Sequence, residues 1–192
     1  MKKNTIRILV VGAGHMGISH ARAYSKLEGF EVCGVVTRSL LSSKDMVDEL
    51  GPFPQYVDFN QALGETKPDA VSISSYTETH YPYTMTALDS GCHVFVEKPL
   101  CLKEAELNTI VKAQQQSQTA VMIGFNRRFS PLTQEVKKVI GSSPISMIYR
   151  VNAGAIPKDT WIQDMEIGGG RILGEACHFI DYLTYLNGSL PV

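Results

Sequence analysis

The largely apolar run Ile6 to Val11 leads straight into Gly12-Ala13-Gly14-His15-Met16-Gly17, and His15–Leu27 reads as a helix. Few folds accommodate a strand that breaks at a tight glycine turn and restarts at once as a helix. The first glycine permits the turn, the second lets the backbone approach a ligand, and the third lets the helix lie close to the strand. The helix start adds unpaired N–H donors and the positive end of a dipole. The turn is therefore shaped for the pyrophosphate of a dinucleotide. Gly12, Gly14, His15, Met16 and Gly17 are the first candidate cofactor contacts.

Strand-like and helix-like stretches then alternate. Strands are expected at Glu31–Thr37, Gln55–Val57, Asp69–Ser75, His93–Glu97 and Thr119–Gly124. Helices are expected at Ser43–Leu50, Phe59–Leu63, Glu78–Ser90 and Lys103–Gln116. This alternation predicts a doubly wound parallel α/β sheet, a Rossmann domain over residues 1–124. After Gly124 the texture changes. Leu132–Val139 reads as a helix, Ile145–Ala153 as a strand, Gly154–Gly170 as a loop and Ile172–Leu186 as a helix. One strand without a partner makes residues 125–192 the incomplete beginning of an α+β substrate domain.

The second strand bears on the choice of coenzyme. NAD-binding versions of this fold place an acid about 20 residues past the glycines, on the ribose 2′-hydroxyl. Here the strand ends Val35-Val36-Thr37-Arg38-Ser39, with no acid. Arg38 can clamp a 2′-phosphate and Ser39 can donate to it. NADP(H) is expected over NAD(H), which stays possible, with Thr37 beside them; Arg38 as a plain solvated turn residue is the alternative.

Composition excludes other classes. Lys and Arg total 18 against 19 Asp and Glu, a net charge of −1 with no charged block. Neither a nucleic acid nor a membrane is an expected partner. Cys33, Cys92, Cys101 and Cys177 form no CxxC and read as reduced thiols, which places the protein in the cytoplasm. Met1-Lys2-Lys3 before the first apolar run faintly resembles a signal peptide, but the run is too short, so export is not expected. No metal-ligand spacing is present.

Two further motifs carry possible chemistry. Glu97-Lys98-Pro99 closes the fifth strand, where ligands of open parallel sheets bind. Lys98 there can bond an oxygen whose charge changes during hydride transfer; a surface lysine is the alternative. Gly168-Gly169-Gly170 precedes a helix on which Glu175, His178 and Asp181 recur every three residues and share a face. A histidine between carboxylates can serve as general acid or base, or can be a core histidine. Asn126, Arg127 and Arg128 read either as contacts to a polar substrate or as interdomain ion pairs. Trp161 reads as a lid against a sugar face or as a packing anchor. His20 and His93 read as helix-face and strand residues.

Taken together, GAGHMG, EKP and GGGRILGEACHFID resemble the Gfo/Idh/MocA oxidoreductase family over essentially the whole chain. The resemblance implies a nucleotide-binding domain followed by a substrate domain with a large, mostly antiparallel sheet. It implies hydride transfer between the nicotinamide and a hydroxyl or keto carbon of a sugar, sugar nucleotide or polyol. Lys98 and His178 take the places of the motif lysine and histidine. Ser75 and the stretch Thr77 to His80 fall near the nicotinamide half of the cofactor, with Glu97 and Lys98. Asn126, Arg128, Trp161 and His178 are the candidate substrate contacts. The aspartate that many members carry four residues before the histidine is Gly174 here, and Glu175 is a candidate catalytic substitute. Most of the implied substrate sheet would lie past Val192, so the chain reads as truncated, and the full-length protein as a homo-oligomer. A cofactor-binding sensor without turnover, or a binding fragment, is the alternative reading.

Overall fold

The first strand, β1 (Ile6–Val11), is apolar because both of its faces are covered. Ile8 and Val10 point to one side and Leu9 and Val11 to the other, none more than 3% exposed. The computed structural model describes residues 5–141 and 145–189. Met1-Lys2-Lys3 and the last residues, Leu190 to Val192, lie outside the described residues. The chain divides into two compact units, Met1–Ile123 and Gly124–Val192.

In the first unit β1 is followed by α1 (His15–Lys26), β2 (Phe30–Val36), α2 (Lys44–Leu50), β3 (Gln55–Tyr56), α3 (Phe59–Thr66) and β4 (Ala70–Ile73). Then come α4 (His80–Asp89), β5 (His93–Val96), α5 (Glu104–Gln116) and β6 (Val121–Ile123). The six strands are parallel, in the order β3-β2-β1-β4-β5-β6. That order reverses between β1 and β4, and such a switch point opens a crevice beyond the carboxyl ends of the strands. The expected α/β sheet is thus present.

Each face has its own core. Leu9, Val11, Val71, Ile73, Val94 and Val96 pack under Phe59, Ala62 and Leu63 of α3, Ala87 and Leu88 of α4, and Ile110 of α5. On the opposite face Ile8, Val10, Val32 and Val35 pack under Ala21 of α1 and Met46 of α2. The local signals are legible in the chain. Asp58 caps α3, its side chain accepting from the Gln61 N–H at 2.7 Å. Glu106 closes the start of α5 by accepting from the Lys103 N–H at 3.2 Å.

The second unit holds α6 (Pro131–Ile140) and α7 (Cys177–Asn187), with short 3₁₀ turns at Asn126–Phe129 and Trp161–Gln163. Two expectations are corrected here. The stretch Ile145–Ala153 is not a strand but irregular backbone. A strand needs a hydrogen-bonded neighbour, and this unit supplies none among its described residues. The helix expected over Ile172–Leu186 begins instead as a π turn, Ile172–Ala176, and continues as α7. Gly174 sits in that turn, where an added Cβ would lie 3.3 Å from the Gly168 carbonyl oxygen.

Candidate functional site

The glycine turn is built from two closed positions and one open one. Gly12 has φ +100°, and a Cβ there would sit 2.5 Å from the Ser74 carbonyl oxygen. A Cβ on Gly17 would sit 1.8 Å from the Gly12 carbonyl oxygen. These two glycines are required by the protein's own backbone: the turn is pinned to β2 by the Gly12 N–H donating to Val36 O at 2.8 Å, and α1 lies directly on it. Gly14 differs. Its φ of −79° suits any residue, and a Cβ there meets nothing within 4 Å. Its lack of a side chain leaves room above the turn. Gly14 is also the N-cap of α1, with no side-chain cap and no acid in the first turn, so the first N–H groups remain available to an anion. His15 and Met16 are exposed at this rim. The donor set and the space suit a dinucleotide pyrophosphate.

Beyond β2, Thr37 is buried and its Oγ1 donates to the Ser39 carbonyl at 3.2 Å. Arg38 and Ser39 are exposed. The Arg38 guanidinium carbon stands 4.9 Å from the centre of the Tyr76 ring, which brings the loop after β2 and the loop after β4 together. Ser39 Oγ lies 2.8 Å from Ser42 Oγ.

The residues after β4 and β5 turn inward more than the sequence suggests. Ser75 Oγ pairs with Thr79 Oγ1 at 2.6 Å, and Thr77 is 3% exposed. His80 is 1% exposed, with Nδ1 2.7 Å from the Pro99 carbonyl oxygen and Nε2 3.1 Å from the Ser75 carbonyl oxygen. The structure therefore places His80 inside the unit rather than on a ligand-facing surface; a neutral ring donates to only one of the two carbonyls, and the shorter contact assigns its N–H to Nδ1 and Pro99 O. Burial holds its imidazole below the ordinary range, although both carbonyls act to raise it. Glu97 is also engaged within the unit: Oε1 lies 3.0 Å from His20 Nε2, and Oε2 accepts the Lys98 N–H at 3.3 Å. Burial pushes the Glu97 carboxyl up. The His20 hydrogen bond and charge, with Lys98, outweigh it and leave the group below the usual carboxylate range. The Lys98–Pro99 peptide is cis.

His20 reads from the sequence as a helix-face residue, yet it is the partner of Glu97. It shares the i, i+3, i+4, i+7 stripe with Gly17, Ala21 and Tyr24, and a polar residue in a sheet-facing stripe calls for a buried partner. That spacing was the available signal.

In the second unit, His178 is buried on α7 with its ring edge toward Phe125, at 6.2 Å and 72°. Asp181 lies three residues further along α7. Its carboxylate is 7% exposed and accepts from the Arg128 guanidinium, with Nε at 2.7 and 2.9 Å and Nη2 also bonded. Arg128 is thus paired with Asp181 within the second unit, its side chain still 37% exposed. The Asp181 hydrogen bonds hold its guanidinium above its ordinary pKa range. Glu175 lies in the π turn, where i→i+5 bonding breaks the 3.6-residue spacing used to relate it to Gly174 and His178. Asn126 is exposed. Trp161 is 41% exposed, and its backbone abuts Gly168, where a Cβ would lie 2.7 Å from the Trp161 carbonyl oxygen. Among the described residues no group of three His, Cys, Asp or Glu side chains is placed to hold a metal ion. No helix among them is long and apolar enough to cross a membrane.

Sheet order, switch point and glycine turn define a dinucleotide-binding Rossmann domain. Residues 6–125 match the family model described as the Gfo/Idh/MocA oxidoreductase family, NAD-binding Rossmann fold, and the chain belongs to that family. It is 26% identical to D-glucoside 3-dehydrogenase of Escherichia coli K12 over 98% of this chain and 56% of that protein. It is 25% identical to myo-inositol 2-dehydrogenase of Thermotoga maritima, over 95% of this chain and 55% of that one. The crystal structure of apo scyllo-inositol dehydrogenase from Lactobacillus casei superposes with a TM-score of 0.82 at 26% identity, covering 98% of this chain and 56% of the other. The chain thus spans just over half the length of these relatives.

Proposed function

We propose that this chain is the coenzyme-binding part, with the start of the substrate-binding part, of an oxidoreductase acting on CH–OH groups of sugars or polyols. The boundary between the two parts is placed at residues 124 and 125. The observation that carries the reading is the contrast within the glycine turn: Gly12 and Gly17 are closed by backbone, and Gly14 alone is left open at a helix start.

A bound nicotinamide coenzyme supplies the hydride donor or acceptor. Gly12, Gly14, His15, Met16 and Gly17 form the cradle for the pyrophosphate: the Gly12 N–H stays on Val36 O and shapes the turn, and the N–H groups at the start of α1 donate to the phosphates. Arg38 and Ser39 hold a 2′-phosphate, with Thr37 shaping their loop, which favours NADP(H). Ser75, Thr77 and the Glu97-Lys98 turn flank the nicotinamide half, and His80 supports that wall from inside. Lys98 donates a hydrogen bond to the reacting oxygen, and His178 takes up or returns its proton; Glu175 tunes that exchange. Asn126, Arg128 and Trp161 shape the substrate side. The names of the relatives, a glucoside and an inositol dehydrogenase, support the substrate class. Four free thiols suit a reducing cytoplasm, and the whole protein is proposed to be a homo-oligomer.

Calorimetric titration tests the coenzyme reading. NADPH is expected to bind more tightly than NADH, and Arg38→Ala to remove roughly tenfold or more of that preference, the size of one charge-assisted contact. Equal affinities in the unaltered chain would reject the 2′-phosphate assignment. No binding of either coenzyme would reject the function.

A further inference from the structure

We propose that His20 and His80 are positioning residues that hold the Glu97-Lys98-Pro99 turn from two sides and so fix where Lys98 stands. The inference rests on the reading of Lys98 as the group that bonds the reacting oxygen. Lysine carries its charge on a flexible four-carbon stem, so the fold controls the ammonium chiefly by fixing the backbone that bears it. Misplacing a reacting group by about 1 Å costs about 100-fold in rate.

Both neighbours of Lys98 are tied to imidazoles. On one side Glu97 Oε1 lies 3.0 Å from His20 Nε2, and Glu97 Oε2 accepts the Lys98 N–H itself at 3.3 Å. The His20 ring is held in turn: Nδ1 is 3.1 Å from Ser72 Oγ in β4, and the ring sits edge-on to Phe95 at 5.1 Å. On the other side the Pro99 carbonyl oxygen is 2.7 Å from His80 Nδ1, and Nε2 of that ring reaches Ser75 O at 3.1 Å. One imidazole comes from α1 and the other from α4, so the two helices flank the turn. Ser72 and Tyr24, whose hydroxyl donates to Ser72 Oγ at 3.3 Å, complete a polar inlay where the sheet would otherwise bury hydrocarbon. Such an inlay is costly to leave half-satisfied, which makes its geometry specific.

The two ring nitrogens give an atom-specific test. The amide nitrogen of asparagine stands about where Nδ1 stands, and that of glutamine about where Nε2 stands. His20→Gln keeps the donor to Glu97, and His80→Asn keeps the donor to Pro99. His20→Asn and His80→Gln lose them. Reductive ¹³C-methylation of the 192-residue chain gives Lys98 an NMR signal, assigned by its loss in Lys98→Arg. The signal is expected to stay in place in the two matched variants and to shift in the two mismatched ones. Amide exchange across residues 96–102 should be roughly tenfold faster in the mismatched pair only.

Asparagine and glutamine behaving alike at both positions would overturn the proposal, because a purely space-filling role makes no such distinction. If His80→Gln fails to fold, the half-buried His20 pair decides. NADPH titration of the same samples separates the two readings. An unaltered chain that ignores NADPH defeats the function, while the methyl signal still reports whether the turn is held.

Discussion

A methyl group on Gly17 would lie 1.8 Å from the Gly12 carbonyl oxygen, a backbone atom that cannot swing away. Replacing a helical glycine by alanine ordinarily gains about 1 kcal/mol of helix propensity. Here overpacking outweighs it, and Gly17→Ala should lose about 3 kcal/mol in urea unfolding. Gly14→Ala should do the reverse. With φ −79° and nothing within 4 Å of the new Cβ, it should unfold within about 0.5 kcal/mol of the parent. Its coenzyme affinity should nonetheless fall at least about tenfold, because the methyl occupies the space above the turn. A stable Gly14→Ala chain with undiminished NADPH affinity would mean the turn holds no phosphate. The Arg128–Asp181 pair makes another residue-scale case. Arg128→Ala leaves a carboxylate buried beneath it. Because the arginine is 37% exposed, the loss is expected at about 2 kcal/mol, below that of a fully buried pair. Asp181→Asn, which removes the charge as well, should cost less. Equal losses in urea unfolding would contradict the ion-pair account.

At the scale of elements, what the chain spells out is what depends on near neighbours. The apolar β1, the glycine spacing and the Asp58 cap are each written in a few consecutive residues and visible before folding, although the contacts that close Gly12 come from Ser74 and Val36. The π turn at Ile172–Ala176 is not, since Ile172 to Ala176 carry no local pattern that distinguishes i→i+4 from i→i+5 bonding. Nor is the interior role of His80. It stands at the start of α4 like any polar residue near a helix end; Ser75 lies in the segment leading into that helix, but Pro99, at the shorter contact, lies on the loop after β5. Its depressed pKa has a consequence. A buried histidine held below its unfolded value of about 6.5 contributes stability that is present above that pH and is lost as the pH falls. Glu97 acts to raise this pKa and Lys98 to lower it, so burial decides the sign. Urea midpoints should therefore fall between about pH 7.5 and about pH 5.5, and fall less in His80→Asn, which has no proton to take up. Parallel pH profiles for the two proteins would show that His80 is not the titrating group.

For the whole molecule, the two units differ in how much of their apolar surface they cover. The first has helices on both faces of its sheet and two separate buried cores. The second leaves Leu132 78%, Val139 88%, Ile148 94% and Ile172 81% exposed, and among its described residues it has no strand. A chain of this size is near the lower limit for independent stability even when well packed. The units should therefore part company when separated. Residues 1–124 alone should unfold cooperatively and bind NADPH as the longer chain does, since every residue assigned to the phosphates lies within them. Residues 125–192 alone should show little cooperative unfolding by circular dichroism and should bind a hydrophobic dye. The Arg128–Asp181 pair and the Lys137 bonds to Tyr185 O and Leu186 O, at 2.7 and 2.8 Å, are polar ties within that unit. Ties of this kind specify an arrangement without supplying the buried area that stabilises one. Should residues 1–124 fail to fold while the full chain folds, the coenzyme domain would need the second unit for its own core, and the boundary at Gly124 would be wrong.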